Sequence, residues 1–167
     1  MHVLIATAGV LPPTPVADLT DKLLGRDGRV SVMTVVEIPA TLLAAMADGE
    51  RRSFLIDDWE LPDRSEKAGQ YMDERGRKMV EPVLAALRSR GHEPDVLFVD
   101  GSDPVEAIIE TAGRVQANLI IMGATRPLFT DESWRSISGR VMQRTRLPLL
   151  LIPGQRGEEV SERSDED

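Results

Sequence analysis

Along the chain, short apolar runs alternate with longer stretches whose apolar positions recur at helical spacing. That order is the signature of successive βα units feeding a parallel sheet. Five runs read as strands: Val3 to Thr7, Val30 to Val36, Val96 to Asp100, Leu119 to Gly123 and Leu147 to Ile152. They are nearly uninterrupted, as strands are when helices cover both faces of a sheet. Between them the spacing predicts helices at about Pro15 to Leu24, Ser65 to Arg90, Pro104 to Gln116 and Ser136 to Arg144. In the third helix Val105, Ile108, Ile109 and Ala112 share one face, which packs on the sheet. The fold class is therefore α/β, with a five-stranded parallel sheet in a three-layer, Rossmann-like arrangement.

Local punctuation supports these boundaries. Thr14 followed by Pro15 reads as a cap and first-turn pair, and Asp103 with Pro104 opens the third helix in the same way. Gly25 and Gly91 suit helix C-termini. Pro82 falls inside the long second helix and is expected to kink or split it. The stretch from Ile38 to Asp63 departs from the pattern, with a short helix predicted around Thr41 to Met46 and then Phe54, Leu55, Ile56 and Trp59 among polar residues. A connection this long is usually functional or flexible. It rises above the carboxyl edge of the sheet, where open α/β folds bind ligands, and reads as a lid or a partner surface.

Composition narrows the picture. A chain of 167 residues, 41% hydrophobic and 29% charged, makes one globular domain, expected over residues 1–153. It has no cysteine, which removes disulfides, thiolate metal sites and cysteine nucleophiles and fits a reducing compartment. The apolar runs are strand-sized and too short to span a membrane. Met1 and His2 lead straight into Val3, Leu4 and Ile5 without a basic flank or a cleavage site, so no secretory signal is expected and the cytoplasm is the default location. The net charge of -8 is uneven: Glu158 to Asp167 holds six carboxylates and one arginine. Residues 154–167 read as an acidic, disordered, solubilising tail. The weakly acidic body offers no footprint for nucleic acid, whose phosphates call for clustered Lys and Arg.

Candidate chemistry is sparse. His2 and His92 are the two imidazoles, at the chain start and in the turn before the third strand, and neither faces the expected crevice. Without His or Cys there, Ser-His-Asp and Cys-His catalysis lose their general base. Asp57, Asp58 and Glu60 carry hard-metal donors, but their spacing does not match a calcium loop, and a solvated loop is the simpler reading. Leu119 to Arg126 (LIIMGATR) is the strongest constellation: a buried strand ends at Gly123 and a helix starts near Ser136. A glycine there lets a ligand approach the backbone, and a helix N-terminus offers free amides to an anion. Taken alone, one glycine marks an ordinary βα turn.

The whole pattern resembles the universal stress protein family. VLIATAGV, from Val3, is similar to the family's opening strand and its Thr-Asp-Gly-Ser turn. DGSDPVEAIIETAGRVQANLIIMG, from Asp100 to Gly123, resembles its Gly-Asp-Pro, helix, Ala-Asp-Leu-Ile-Val-Met-Gly block. RSISGRVMQRTRLPLLLIP, from Arg135 to Pro153, is similar to the closing helix and strand. The resemblance implies an adenine nucleotide alpha hydrolase-like sheet in the order 3-2-1-4-5, a homodimer, a role in stress response or regulation and, in one branch, ATP bound in the crevice between strands one and four.

That branch is marked by Gly-x-x-Gly, nine residues, then Gly-Ser or Gly-Thr. This chain keeps Gly123 and Ser136, but has Arg126 at the second glycine, Arg135 at the third with one residue fewer between, and Ala8 at the opening aspartate. The implied crevice residues are Thr7, Ala8, Gly9, Val35, Val36, Met122, Gly123, Arg126, Arg135 and Ser136. Arginine in place of glycine puts a side chain where a triphosphate would lie against bare backbone. The expectation is therefore a regulatory module without a resident cofactor, acting through a protein partner or a small anionic ligand. The alternative is an ATP or AMP binder, with magnesium, whose phosphate loop is rebuilt around arginines. Arg126, Arg135 and Arg140 either hold a small anion at the last helix or are solvated or paired with Asp131 and Glu132. Trp59 and Trp134 are candidates to cover the crevice or anchor a partner. Electron-transfer and nucleotidyl-transfer enzymes on related sheets need a flavin loop or a His-containing nucleotide motif, and neither occurs. The fifth strand, apolar and uncharged, is expected to pair with its symmetry mate.

Overall fold

The computed structural model describes residues 1–25, 27–41, 44, 64–101, 103–124 and 135–154. In chain order the elements are β1 (His2–Ala6), α1 (Pro13–Leu24), β2 (Arg29–Val36), α2 (Arg64–Arg88), β3 (Asp95–Asp100), α3 (Pro104–Arg114), β4 (Leu119–Ala124), α4 (Ile137–Arg144) and β5 (Leu149–Pro153). All strand pairs are parallel, in the order β3-β2-β1-β4-β5. The order reverses beside β1, whose neighbours are β2, in register Val3 to Val30, and β4, in register Val3 to Leu119.

Successive strand side chains point to opposite faces, so one apolar run feeds two cores. Val3 and Ile5 of β1, Val30 and Val32 of β2 and Ile121 of β4 pack with Val16 and Ala17 of α1 and Val80, Val83 and Leu87 of α2. Leu4, Ala6, Met33, Ile120 and Met122 pack on the other side with Val105, Ile108 and Ala112 of α3 and Val141 of α4. The central strands are buried on both faces, whereas the edge strands β3 and β5 are half-exposed.

Three sequence expectations shift. The first helix starts at Pro13, with Pro12 at the cap position and no side-chain cap, so Thr14 and Pro15 lie in its first turn. The fixed backbone angle of Pro13 supplies the start that a hydroxyl would otherwise direct. Pro82 does not split the second helix, which runs unbroken through it. The buried Val80, Val83, Leu84 and Leu87 on either side of Pro82 hold that face against the sheet, and this packing offsets the lost amide bond. Leu147 and Pro148 precede the last strand, though the Pro148 carbonyl still accepts from the Ile120 amide at 3.0 Å. Asp103 does cap the third helix, accepting from the amides of Val105 and Glu106. Ala40, Thr41 and Ala44 are helical; the rest of the lid reading, with Trp59 and the Asp57, Asp58 and Glu60 cluster, lies outside the described residues, as do Asp131, Glu132, Trp134 and the tail beyond Gly154.

Candidate functional site

A cavity of about 370 Å³ opens at the carboxyl ends of the central strands, at the divergence between β1 and β4. This is where open α/β sheets leave a crevice, because the connections after the two strands depart to opposite faces. Its walls come from five segments. The end of β1 and the following loop give Ala6, Thr7, Ala8, Val10 and Leu11, and β2 gives Met33, Thr34 and Val35, with Glu37 just after its end. Gly101, Pro104 and Ile108 come from the end of β3 and the start of α3, Met122, Gly123 and Ala124 from β4, and Ile137 and Ser138 from the first turn of α4. The volume is at the lower end of the range for small-molecule sites, and the lining is largely apolar.

Of the crevice residues implied by the sequence, Thr7, Ala8, Val35, Met122 and Gly123 line this cavity. The Thr7 amide donates to the Met33 carbonyl at 3.0 Å, and its Oγ1 accepts from the Gly9 amide at 3.0 Å, which fixes the turn out of β1. Gly9 does not reach the cavity; it makes the turn itself, at φ 86°, a left-handed backbone that side chains disfavour. Val36 is buried and stands outside the lining. Ser136 stands outside the lining too: its Oγ accepts from the Gly139 amide at 3.1 Å and caps α4, while Ser138 lines the wall. Arg135 is exposed and off the lining, and Arg126 lies outside the described residues.

Both helix N-termini that border the cavity carry a side-chain cap; at α4 the cap takes the Gly139 amide and leaves those of Ile137 and Ser138, both on the lining. Asp103 occupies the amides at the start of α3, and Arg140 of α4 donates to its Oδ2 at 3.3 Å. One turn on, Arg144 pairs with Glu106. The two pairs tie α4 to α3 along the outer side of the cavity. Desolvation pushes the Asp103 carboxyl upward, but the amide bonds from Val105 and Glu106 and the charge of Arg140 outweigh it and hold its pKa below the ordinary carboxylate value. Of the two readings of Arg140, an anion ligand or a solvated or paired side chain, the structure shows a paired one, with Asp103 as the partner instead of Asp131 or Glu132.

Glu37 is the one charged side chain on the lining among the described residues, and it is exposed. In the second strand the crevice residues implied by the sequence end one position short of it, at Val36. Gly101, Pro104 and Ile108 lie within the Asp100 to Gly123 block but outside the implied crevice set. The available signal was general: each segment that follows a strand end reaches the same rim. The histidines lie elsewhere. His2 bonds Ser31 and the Val115 carbonyl, and His92 bonds Asp21. Among the described residues no group of three or more His, Asp or Glu is placed to hold a metal ion, and no helix is long and apolar enough to cross a membrane.

Comparison with known proteins adds a family. The profile of the Universal stress protein family matches residues 1–153. A universal stress protein from Burkholderia pseudomallei superposes with a TM-score of 0.55 at 20% identity, covering 91% of this chain and 95% of its own. One from Arabidopsis thaliana, solved with AMP bound, gives 0.57 at 15% identity and 99% coverage of both chains. A third, in complex with cAMP, gives 0.54 at 18% identity, covering 93% of this chain and 98% of its own. No curated protein matches in sequence.

Proposed function

Because the chain belongs to the universal stress protein family, we propose that it is a stress-response regulatory module whose signal is occupancy of the cavity at the β1 and β4 divergence. One observation carries this reading: a formed, largely apolar cavity sits at the ligand position of an open α/β sheet, in a family with nucleotide-bound members. A catalytic role finds less support. Among the described lining residues there is no imidazole, and the hydroxyls of Thr7 and Ser138 meet the Gly9 amide and the Ser136 hydroxyl. Ala8 stands where the ATP-binding branch has an aspartate, so the usual triphosphate pose loses a contact. Mass spectrometry of the denatured protein, checked for a copurified small molecule, tests occupancy directly.

The second reading, an ATP or AMP binder with an arginine-modified phosphate loop, is favoured by the AMP and cAMP complexes of the relatives. Calorimetry with ATP and magnesium separates the two. The first expects no binding tighter than about 0.1 mM, equivalent to about -5.5 kcal/mol. A micromolar dissociation constant would install the second.

We further propose that two copies pair through β5. Its outer edge is unpaired in the single chain, and Leu149, Leu150, Leu151 and Ile152 are all half-exposed. Such an edge invites pairing, and a two-fold axis satisfies both copies at once. Light scattering at micromolar concentration is expected to give a dimer, and Leu150→Lys or Ile152→Lys a monomer. Both residues also pack on the α1 and α2 core, so circular dichroism must show the variants folded. A monomeric parent protein removes the proposal.

A further inference from the structure

The walls and charges of the cavity carry the reading one step further, to the class of molecule it takes. The lining joins Val10, Leu11, Ile108 and Ile137 around a mouth whose charged member, among the described residues, is Glu37. No described residue pairs with that carboxylate. A phosphate needs the opposite equipment: free amides at a helix N-terminus and unengaged guanidinium or ammonium groups. Here the α3 amides of Val105 and Glu106 are already bonded to Asp103, whose carboxylate adds negative charge at that helix end. The α4 cap takes the Gly139 amide and leaves those of Ile137 and Ser138 as neutral donors, while no described lining residue is cationic and Arg140 and Arg144 are held by Asp103 and Glu106. Ala8 contributes a methyl group to the lining.

Resting on the reading of the cavity as a ligand site, we infer that it selects a small, flat, largely apolar molecule that is uncharged or cationic, carries an N–H or O–H donor for Glu37, and is disfavoured in proportion to its phosphate charge. Apolar walls reward burial of a ring. A carboxylate with no partner among the described residues rewards a donor at the mouth and repels an anion, and the repulsion is screened by salt because Glu37 is exposed.

The test uses the full chain and three probes that share base and ribose but differ in charge: adenosine, AMP and ATP. Calorimetry is expected to rank adenosine first, at least about tenfold tighter than ATP, with AMP between. Raising salt from about 0.05 to about 0.5 M is expected to strengthen ATP binding and leave adenosine unchanged. Glu37→Gln keeps a hydrogen-bonding group without the charge, and is expected to narrow the adenosine-to-ATP ratio about threefold. Amide signals of Gly101 and Gly123 are expected to move as the cavity fills. If AMP or ATP binds tighter than adenosine, or Glu37→Gln leaves the ratio unchanged, the ligand class is wrong while the cavity remains a binding site. If none of the three binds, or the two glycine signals stay fixed, the cavity reading falls and this inference with it.

Discussion

The two ends of the sheet are built from the same strands and spend their polar groups differently. At the amino end, His2 Nδ1 meets the Val115 carbonyl at 2.8 Å and Nε2 meets Ser31 Oγ at 2.9 Å. The His2 amide donates to Asn118 Oδ1 at 2.7 Å, and the Asn118 amide returns a bond to the His2 carbonyl. The Arg29 amide donates to the Met1 carbonyl, and the Arg29 side chain pairs with Asp95 across the surface. At the carboxyl end the strands stop against a cavity, a carboxylate with no partner among the described residues and two capped helices. A folded chain gains by closing its polar groups on one another; an open rim keeps some of that capacity for a ligand. Under the function proposed above, the amino end is the stabilising end and the carboxyl end the working one.

The strongest way to break that distinction is to remove His2. The Val115 carbonyl only accepts, so Nδ1 carries a hydrogen, and Nε2 of a singly protonated ring accepts from Ser31. His2→Ala leaves the buried Ser31 hydroxyl and the Val115 carbonyl without a partner and opens a void beneath the sheet. The expected loss is roughly 3 kcal/mol of stability, read as a shift of the urea midpoint. Adenosine binding to the folded variant should match the parent. A large drop in affinity at unchanged stability would erase the contrast between the ends.

Glycines sharpen it. A Cβ on Gly28, just ahead of β2 at the amino end, would lie 2.6 Å from the backbone oxygen of Leu24. Backbone cannot swing aside, so Gly28→Ala is expected to cost about 2 kcal/mol. A Cβ on Gly123, at the working end, meets Leu11 and Val10 at 3.8 Å, an ordinary contact. Gly123→Ala should stay within about 0.5 kcal/mol of the parent. It narrows the cavity wall, so its effect is to be sought in ligand affinity. Thermal melts of the two variants side by side decide the matter, and equal costs would show that the rim is packed as tightly as the base.

The fold was legible because its carrier signals are local. Val3 to Ile5 and Leu119 to Met122 are apolar without a break because both faces are covered, and Asp103 with Pro104 announces a helix start through chemistry confined to four residues. Family resemblance supplied the strand order, which periodicity alone does not contain. The first-helix cap was misplaced because three prolines, Pro12, Pro13 and Pro15, compete for one boundary and fixed backbone angles decide it without a hydroxyl. The site was half legible. Thr7, Met122 and Gly123 follow from strand ends, but Glu37, Ile108 and Ile137 meet them only across the sheet divergence. Neither does the sequence show that Arg140 is engaged, since Asp103, which holds it, is 37 residues away.

The smallest expected effect tests the clasp on the outer side of the cavity. Asp103 is half-exposed and serves both as the cap of α3 and as the partner of Arg140. Its pKa is lowered in the folded chain, since the Val105 and Glu106 amides and Arg140 outweigh the opposing desolvation. A carboxyl with a lower pKa folded than unfolded contributes stability above its unfolded value and loses it as pH falls through the folded value. The Asp103 contribution is therefore complete at neutral pH and disappears in the acid range below the ordinary carboxylate pKa. Asp103→Asn retains an oxygen for the helix amides but neither titrates nor attracts Arg140. The parent should lose more stability than this variant between neutral and acid pH, and the two should converge once Asp103 is protonated. Urea midpoints measured across that range check the prediction, and parallel curves for parent and variant would show that the clasp contributes nothing. Asp103→Asn also removes a carboxylate at the α3 start and leaves Arg140 without its ion-pair partner. ATP should then gain on adenosine in the same direction as for Glu37→Gln, because a carboxylate is removed and a guanidinium is freed.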